Sequence, residues 1–215
     1  MKPNLDRLSE GQKRLWPELS STPQEFTLFG GIALSIRFGH RHTSDFDFFS
    51  RSELDPEELY HRVPYLKSAE VLQLAPNTLI CSVERGEPVK VSFFGLPNFG
   101  IAGDPEIVEN LDLKVSPLIE LAGTKTSVVQ KRAVARDYLD LDLLLSVGKV
   151  SLTDALIAGR KLYGRLYNPH VALKALTFFG DGDLMSLPEE LRDRLAEAAT
   201  QVDLAYLANK IEELS

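Results

Sequence analysis

The stretch Phe26-Thr27-Leu28-Phe29-Gly30-Gly31-Ile32-Ala33-Leu34-Ser35-Ile36-Arg37-Phe38-Gly39, continued by His40-Arg41-His42-Thr43-Ser44-Asp45-Phe46-Asp47-Phe48-Phe49, decides the fold. Phe26 to Phe29 is a short apolar run of strand character. Gly30-Gly31 breaks it, and Ile32 to Phe38 then has helical rather than alternating character, closed by Gly39. After a polar turn, Asp45-Phe46-Asp47-Phe48 alternates as a strand with one buried face does. The expected local order is strand, glycine turn, helix, loop and strand.

Side chains two apart on a strand share a face, so Asp45 and Asp47 project together while Phe46 and Phe48 face the core. At a separation of roughly 6–7 Å and an effective dielectric near 20, two carboxylates repel by about 2–3 kcal/mol, a cost that a bound cation reverses. Carboxylates suit Mg²⁺ or Mn²⁺, which bridge protein to phosphate oxygens. Upstream, Gly30-Gly31 offers a turn without side chains at the start of a helix, whose free N–H groups and dipole favour an anion. Phosphate cradle and metal site are thus encoded a dozen or so residues apart. The plainer alternative is a loop glycine pair followed by a strand with one solvated acidic face, salt-bridged to Arg37 or Arg41.

Working outward, Leu5, Leu8, Leu15 and Leu19 among polar residues predict an opening helix that ends before Ser20-Ser21-Thr22-Pro23. Asp55-Pro56-Glu57-Glu58 begins another. From about Glu70 to Gly95 the texture is β, in runs 71–74, 79–83 and 89–94, expected to extend the same sheet. Beyond Ser116-Pro117 the pattern is helical, at roughly 117–130, 134–147, 151–164, 169–179 and 187–213. The expected fold class is α+β: a lobe with a mixed β-sheet over 1–115 and a helical lobe over 116–215 that closes a cleft.

With 215 residues, 44% hydrophobic and 26% charged, the composition is that of an ordinary globular protein. No apolar run approaches membrane-spanning length and no apolar leader opens the chain, which implies a cytoplasmic protein with no membrane partner. The one cysteine, Cys81, lies in an apolar run and reads as a buried structural thiol. A net charge of −7 argues against a broad electrostatic grip on nucleic acid, leaving two local basic clusters, Arg37/His40/Arg41/His42 and Lys125/Lys131/Arg132/Arg136. His40 and His42 lack the further ligands that a zinc site needs.

The segment from Phe29-Gly30-Gly31 to Asp45-Phe46-Asp47-Phe48-Phe49 closely resembles the signature of AbiEii/AbiGii-type toxin nucleotidyltransferases, members of the DNA polymerase β-like superfamily. A second block, Lys125, Arg132, Arg136-Asp137 and Asp140-Leu141, resembles that family's helical Lys, Arg and Asp pattern. Together the blocks span about residues 26–50 and 117–145. The resemblance implies a polymerase β-like nucleotidyltransferase lobe, with an NTP and Mg²⁺ (or Mn²⁺) held against a helical lobe. Asp45 and Asp47 would ligate metal. Gly30, Gly31, Arg41 and Ser44 would line the nucleotide, Lys125 would contact a β- or γ-phosphate, and Asp137 would belong to the catalytic neighbourhood, with Asp140 as scaffold. The implied activity is transfer of a nucleoside monophosphate to an acceptor, an RNA such as the 3′ end of tRNA. The implied setting is the toxin of a type IV toxin–antitoxin or phage-defence pair, with a cognate antitoxin as possible partner.

One departure stands out. Related enzymes often carry a third carboxylate on a later strand, and here Val89-Lys90-Val91-Ser92-Phe93-Phe94 offers Lys90 and Ser92 on its polar face. Two other readings therefore stay open. One is a nucleotide-binding or protein-interaction module without turnover, and the other is a phosphohydrolase using Asp45, Asp47 and the histidine pair.

Overall fold

The structure is a computed structural model that describes residues 1–214. The chain divides into two compact units, one of residues 1–99 with 104–116 and one of residues 100–103 with 117 onward.

In the first unit, α1 (Glu10–Leu15) starts at a capping box in which Ser9 accepts from the Gln12 backbone N–H and the Gln12 side chain accepts from Ser9 N. It passes into a 3₁₀ turn, Trp16–Ser21, with Pro17 near its start. The expected opening helix is thus shorter than its leucines suggest. Leu5 and Leu8 precede the cap, and the sequence Ser9-Glu10-Gly11-Gln12 fixes the helix start. Next come β1 (Thr27–Phe29), α2 (Gly30–Phe38), β2 (Asp45–Ser50) and α3 (Pro56–Arg62). Gly39 ends α2 in the left-handed conformation, φ +61°, and Asp55 caps α3 through the N–H groups of Glu57 and Glu58. The strands β3 (Glu70–Ala75), β4 (Thr78–Glu84) and β5 (Pro88–Gly95) form a meander, and two short strands, β6 (Glu106–Ile107) and β7 (Lys114–Val115), complete the sheet.

The sheet order is β3-β4-β5-β2-β1-β7-β6. The β2–β5 and β1–β7 pairs are parallel and the others antiparallel, so the sheet is mixed as expected. Alternation sorts its two faces. Phe46, Phe48, Val91, Phe93, Leu79 and Cys81 are all fully buried, with Phe48 stacked on Phe93 at 5.1 Å and Trp16 6.3 Å from Phe46. Burial pushes the Cys81 thiol up to about 11, consistent with an inert core residue. The opposite face carries Asp45, Asp47, Phe49, Lys90, Ser92 and Phe94.

The second unit holds α4 (Leu118–Val129), α5 (Ala135–Ser146), α6 (Leu152–Tyr163), α7 (Pro169–Ala175), α8 (Glu189–Thr200) and α9 (Leu204–Glu212) around one apolar core that includes Tyr138, Leu141, Leu156, Leu176, Leu195 and Leu207. The single helix expected over 187–213 is two. Asp203 caps α9 by accepting from the N–H groups of Ala205 and Tyr206, which starts a second helix while the leucine spacing continues. The residues 100–103 join this unit because Gly100 N donates to Leu162 O at 2.9 Å and the buried Glu120 accepts from Ala102 N at 2.9 Å.

Candidate active site

The glycine turn is built for close approach. Gly30 has φ +73°, which disfavours a side chain, and a Cβ added there would lie 2.8 Å from Asp47 Oδ2. A Cβ on Gly31 would land on the Arg41 guanidinium. Asp47 and Arg41 therefore sit directly over the two glycines, at a helix start where no side chain provides a cap. The absence of side chains on both glycines is what lets the Asp47 carboxylate and the Arg41 guanidinium come this close to the backbone.

Strand pairing fixes the carboxylates. In the antiparallel pair β1–β2, Phe29 faces Asp47. In the parallel pair β2–β5, Asp45 lies beside Lys90 and Asp47 beside Ser92. The two residues found where a third acid was sought thus border the aspartates directly. Lys90 Nζ is 3.3 Å from Asp45 Oδ2, while Ser92 is buried with its hydroxyl unpartnered. Further along the same face the polar surface gives way to rings, Phe29 stacked on Phe49 at 4.6 Å and Phe49 edge-on to Phe94 at 5.6 Å.

The loop that carries Arg41 and Ser44 is braced by residues that sequence reasoning passed over. Gln12 Nε2 donates to Thr43 O at 2.8 Å, Arg7 Nε to Gly39 O at 3.0 Å and Ser35 Oγ to Arg41 O at 2.8 Å, and His42 Nδ1 lies 2.7 Å from Arg7 O. The signal for Gln12 was legible in the capping-box pattern that fixes its orientation. Ser44 itself is exposed at the loop's end. Arg37, grouped by sequence with the basic cluster, turns inward instead. Its side chain is 7% exposed, donates to Ala33 O and Ser116 O at 3.0 and 2.7 Å, and pairs with Glu106 at 3.0 Å, while burial lowers its pKa from the usual arginine value. It is a structural tie and not part of a basic patch.

In the helical unit the spacing of Asp137 and Asp140 on α5 puts both on the face toward α4. Lys125 Nζ donates to Asp137 Oδ1 at 2.9 Å and lies 2.7 Å from Asp140 Oδ2, and Arg132 Nε donates to Asp137 Oδ2 at 2.8 Å. Lys125, Asp137 and Asp140 are 7%, 1% and 0% exposed. Asp137 thus pairs with both Arg132 and Lys125. Of the three ammonium protons of Lys125, two point at carboxylates.

A match to the family model "Nucleotidyl transferase AbiEii toxin, Type IV TA system" runs from residue 14 to residue 213. This chain belongs to the AbiEii nucleotidyltransferase toxin family. Within curated proteins, an uncharacterised protein of Aquifex aeolicus (strain VF5) is 28% identical over 159 residues, 73% of this chain and 75% of its own. Among solved structures, the MenT4 nucleotidyltransferase toxin of Mycobacterium tuberculosis H37Rv superposes with a TM-score of 0.57 at 15% identity, covering 94% of this chain and 90% of its own. JHP933 from Helicobacter pylori does so with a TM-score of 0.57 at 17% identity, covering 96% and 95%. At these identities the likeness establishes the nucleotidyltransferase fold of the AbiEii chain, and its chemistry rests on its own residues.

The AbiEii family implies a divalent metal. Two carboxylates on one strand face, beside a side-chain-free turn at a helix start, fit Mg²⁺, which commonly takes one or two carboxylates and fills its remaining positions with water and substrate phosphate. Among the described residues no cluster of three or more His, Cys, Asp or Glu is placed to hold a metal ion, so an ion held here would complete its coordination with water or nucleotide oxygens. No helix among the described residues is long and apolar enough to cross a membrane.

Proposed function

We propose that the protein transfers a nucleoside monophosphate from an NTP to a hydroxyl of an RNA acceptor, such as the 3′ end of tRNA, as the toxin of a type IV pair. The observation that carries this reading is the placement of Asp47 directly over Gly30, with Asp45 on the same strand face. Asp45 and Asp47 would hold Mg²⁺ or Mn²⁺, which when bound lowers the charge on the phosphates and favours a nucleophilic acceptor oxygen. The N–H groups at the start of α2 receive the triphosphate, and Arg41 lies where its guanidinium meets phosphate oxygens in a forked contact. Ser44 adds a hydroxyl at the end of the same loop. The acceptor oxygen attacks the α-phosphorus as pyrophosphate departs on the opposite side. In the helical unit, Asp137 holds the Lys125 ammonium at 2.9 Å. A cognate antitoxin is the partner this setting implies, and the cytoplasm its place of action.

The experiment is transfer of label from α-labelled NTPs into total RNA by the purified protein. Labelling for at least one nucleotide is expected. The Asp47→Asn variant should lose at least about 10³-fold, since the carboxylate that places the cation is gone. Transfer that survives this substitution undiminished would remove the site assignment.

Lys90 and Ser92 beside the aspartates favour a second reading, a module that binds nucleotide without turnover. Calorimetry distinguishes the two. NTP binding that requires Asp45, with no transfer for any of the four nucleotides, would establish the binding module in place of the enzyme.

A further inference from the structure

Parallel pairing of β2 and β5 gives each aspartate a fixed neighbour, a cation beside Asp45 and a neutral hydroxyl beside Asp47. We propose that Lys90 is a resident counter-ion that occupies Asp45 in the metal-free protein and competes with the divalent cation for that carboxylate, so that metal and nucleotide load together. This rests on the reading of Asp45 and Asp47 as metal ligands.

Two carboxylates on one strand face need positive charge nearby whether or not metal is bound. The sheet supplies it through the Cα partner of Asp45, so no backbone movement brings the ammonium in. The contact is loose: Lys90 Nζ is 3.3 Å from Asp45 Oδ2, and the two side chains keep 43% and 30% of their exposure. An exposed pair of this kind is weakly held. Lysine, a strongly hydrated point charge on a flexible stem, can withdraw into water without the loss of a fixed fork geometry that an arginine would suffer.

Lys90 couples the two ligands through its choice of partner. A triphosphate offers the ammonium a new anionic partner, which draws it off Asp45 and leaves that carboxylate to the cation. Ser92, buried at the position beside Asp47, contributes no further negative charge that would hold the metal without nucleotide. By reciprocity, whatever nucleotide does for metal affinity, metal does for nucleotide affinity.

The test is calorimetric titration of MnCl₂ into the full chain without nucleotide, for wild type, Lys90→Met, Lys90→Gln, Lys90→Arg and Asp45→Asn, with thermal melts to confirm that each is folded. Removing the charge in the Met and Gln variants should tighten Mn²⁺ binding by about tenfold, while the Arg variant, which keeps the charge and holds Asp45 in a fork, binds Mn²⁺ no tighter than wild type. A non-hydrolysable NTP analogue should strengthen Mn²⁺ binding strongly in wild type and much less in Lys90→Met. Unchanged Mn²⁺ affinity in both neutral variants would overturn the proposal. So would a loss of nucleotide affinity in Lys90→Met with Mn²⁺ binding alone unaltered, which would make Lys90 a phosphate ligand only. Failure of the underlying metal reading looks different: Mn²⁺ binding would then be indifferent to Asp45→Asn.

Discussion

Two ionic groups of this protein use the same residue types to opposite ends. On the sheet face, Asp45 meets one loosely held lysine, and both Asp45 and Asp47 keep contact with solvent. In the helical unit, Lys125, Asp137 and Asp140 are almost wholly buried, and both carboxylates are paired at 2.7–2.9 Å. The difference is one of remaining capacity. A carboxylate whose oxygens are already saturated inside a helix pair serves the architecture and the placement of Lys125. Asp45, partly exposed and held by one lysine at 3.3 Å, is the loosely engaged one.

Stability measurements can break this contrast. Asp140→Ala strips one partner from a buried ammonium and should cost about 3–5 kcal/mol in urea unfolding. Asp45→Ala, which removes an exposed partner and relieves repulsion on Asp47, should stay within about 1 kcal/mol of wild type in either direction. Equal losses would show that the sheet pair is structural too. An intermediate cost is expected at the turn. Gly30→Ala forces a side chain into a left-handed backbone and onto Asp47, for about 1–3 kcal/mol, and nucleotide affinity should fall with it. Unaltered affinity in a folded Gly30→Ala protein would separate the turn from the site.

The smallest effect calibrates the others. Glu18 accepts from Arg85 at 2.6 and 2.7 Å near the surface, and these bonds hold its carboxyl below the usual value of 4.5. A carboxyl lowered on folding adds stability above its unfolded pKa and loses it as pH falls through the folded one. Glu18→Gln should therefore cost under about 1 kcal/mol at neutral pH, and the gap to wild type should close below pH 4.5. A gap that persists in acid would mean that packing, not charge, accounts for the loss.

How far the sequence could be read follows from how local each signal is. Gly30-Gly31, the Gly39 stop and the alternation of Asp45 to Phe48 are written within a few residues, and each became the turn, helix and strand expected. The β6 and β7 strands are two residues long and leave no periodic trace. Asp203 signalled a new cap, but the leucine spacing across it masked the break. At the site, the shared face of Asp137 and Asp140 was legible, whereas their partner Lys125 lies on the preceding helix, beyond the reach of spacing alone. Lys90 was visible as the residue standing where an acid was sought. That it meets Asp45 required the parallel β2–β5 register, a non-local property of the sheet.

The brace on the motif loop has a practical corollary. Arg7 and Gln12 hold Gly39 and Thr43 by backbone oxygens, far along the chain from any group that touches substrate. Trimming the first dozen residues, or fusing a bulky tag to Met1, whose amino group is hydrogen-bonded to Ile107 O, would leave every motif residue in place yet loosen the loop that aims Arg41. On the proposed site, such a protein would keep its motif residues and bind nucleotide more weakly.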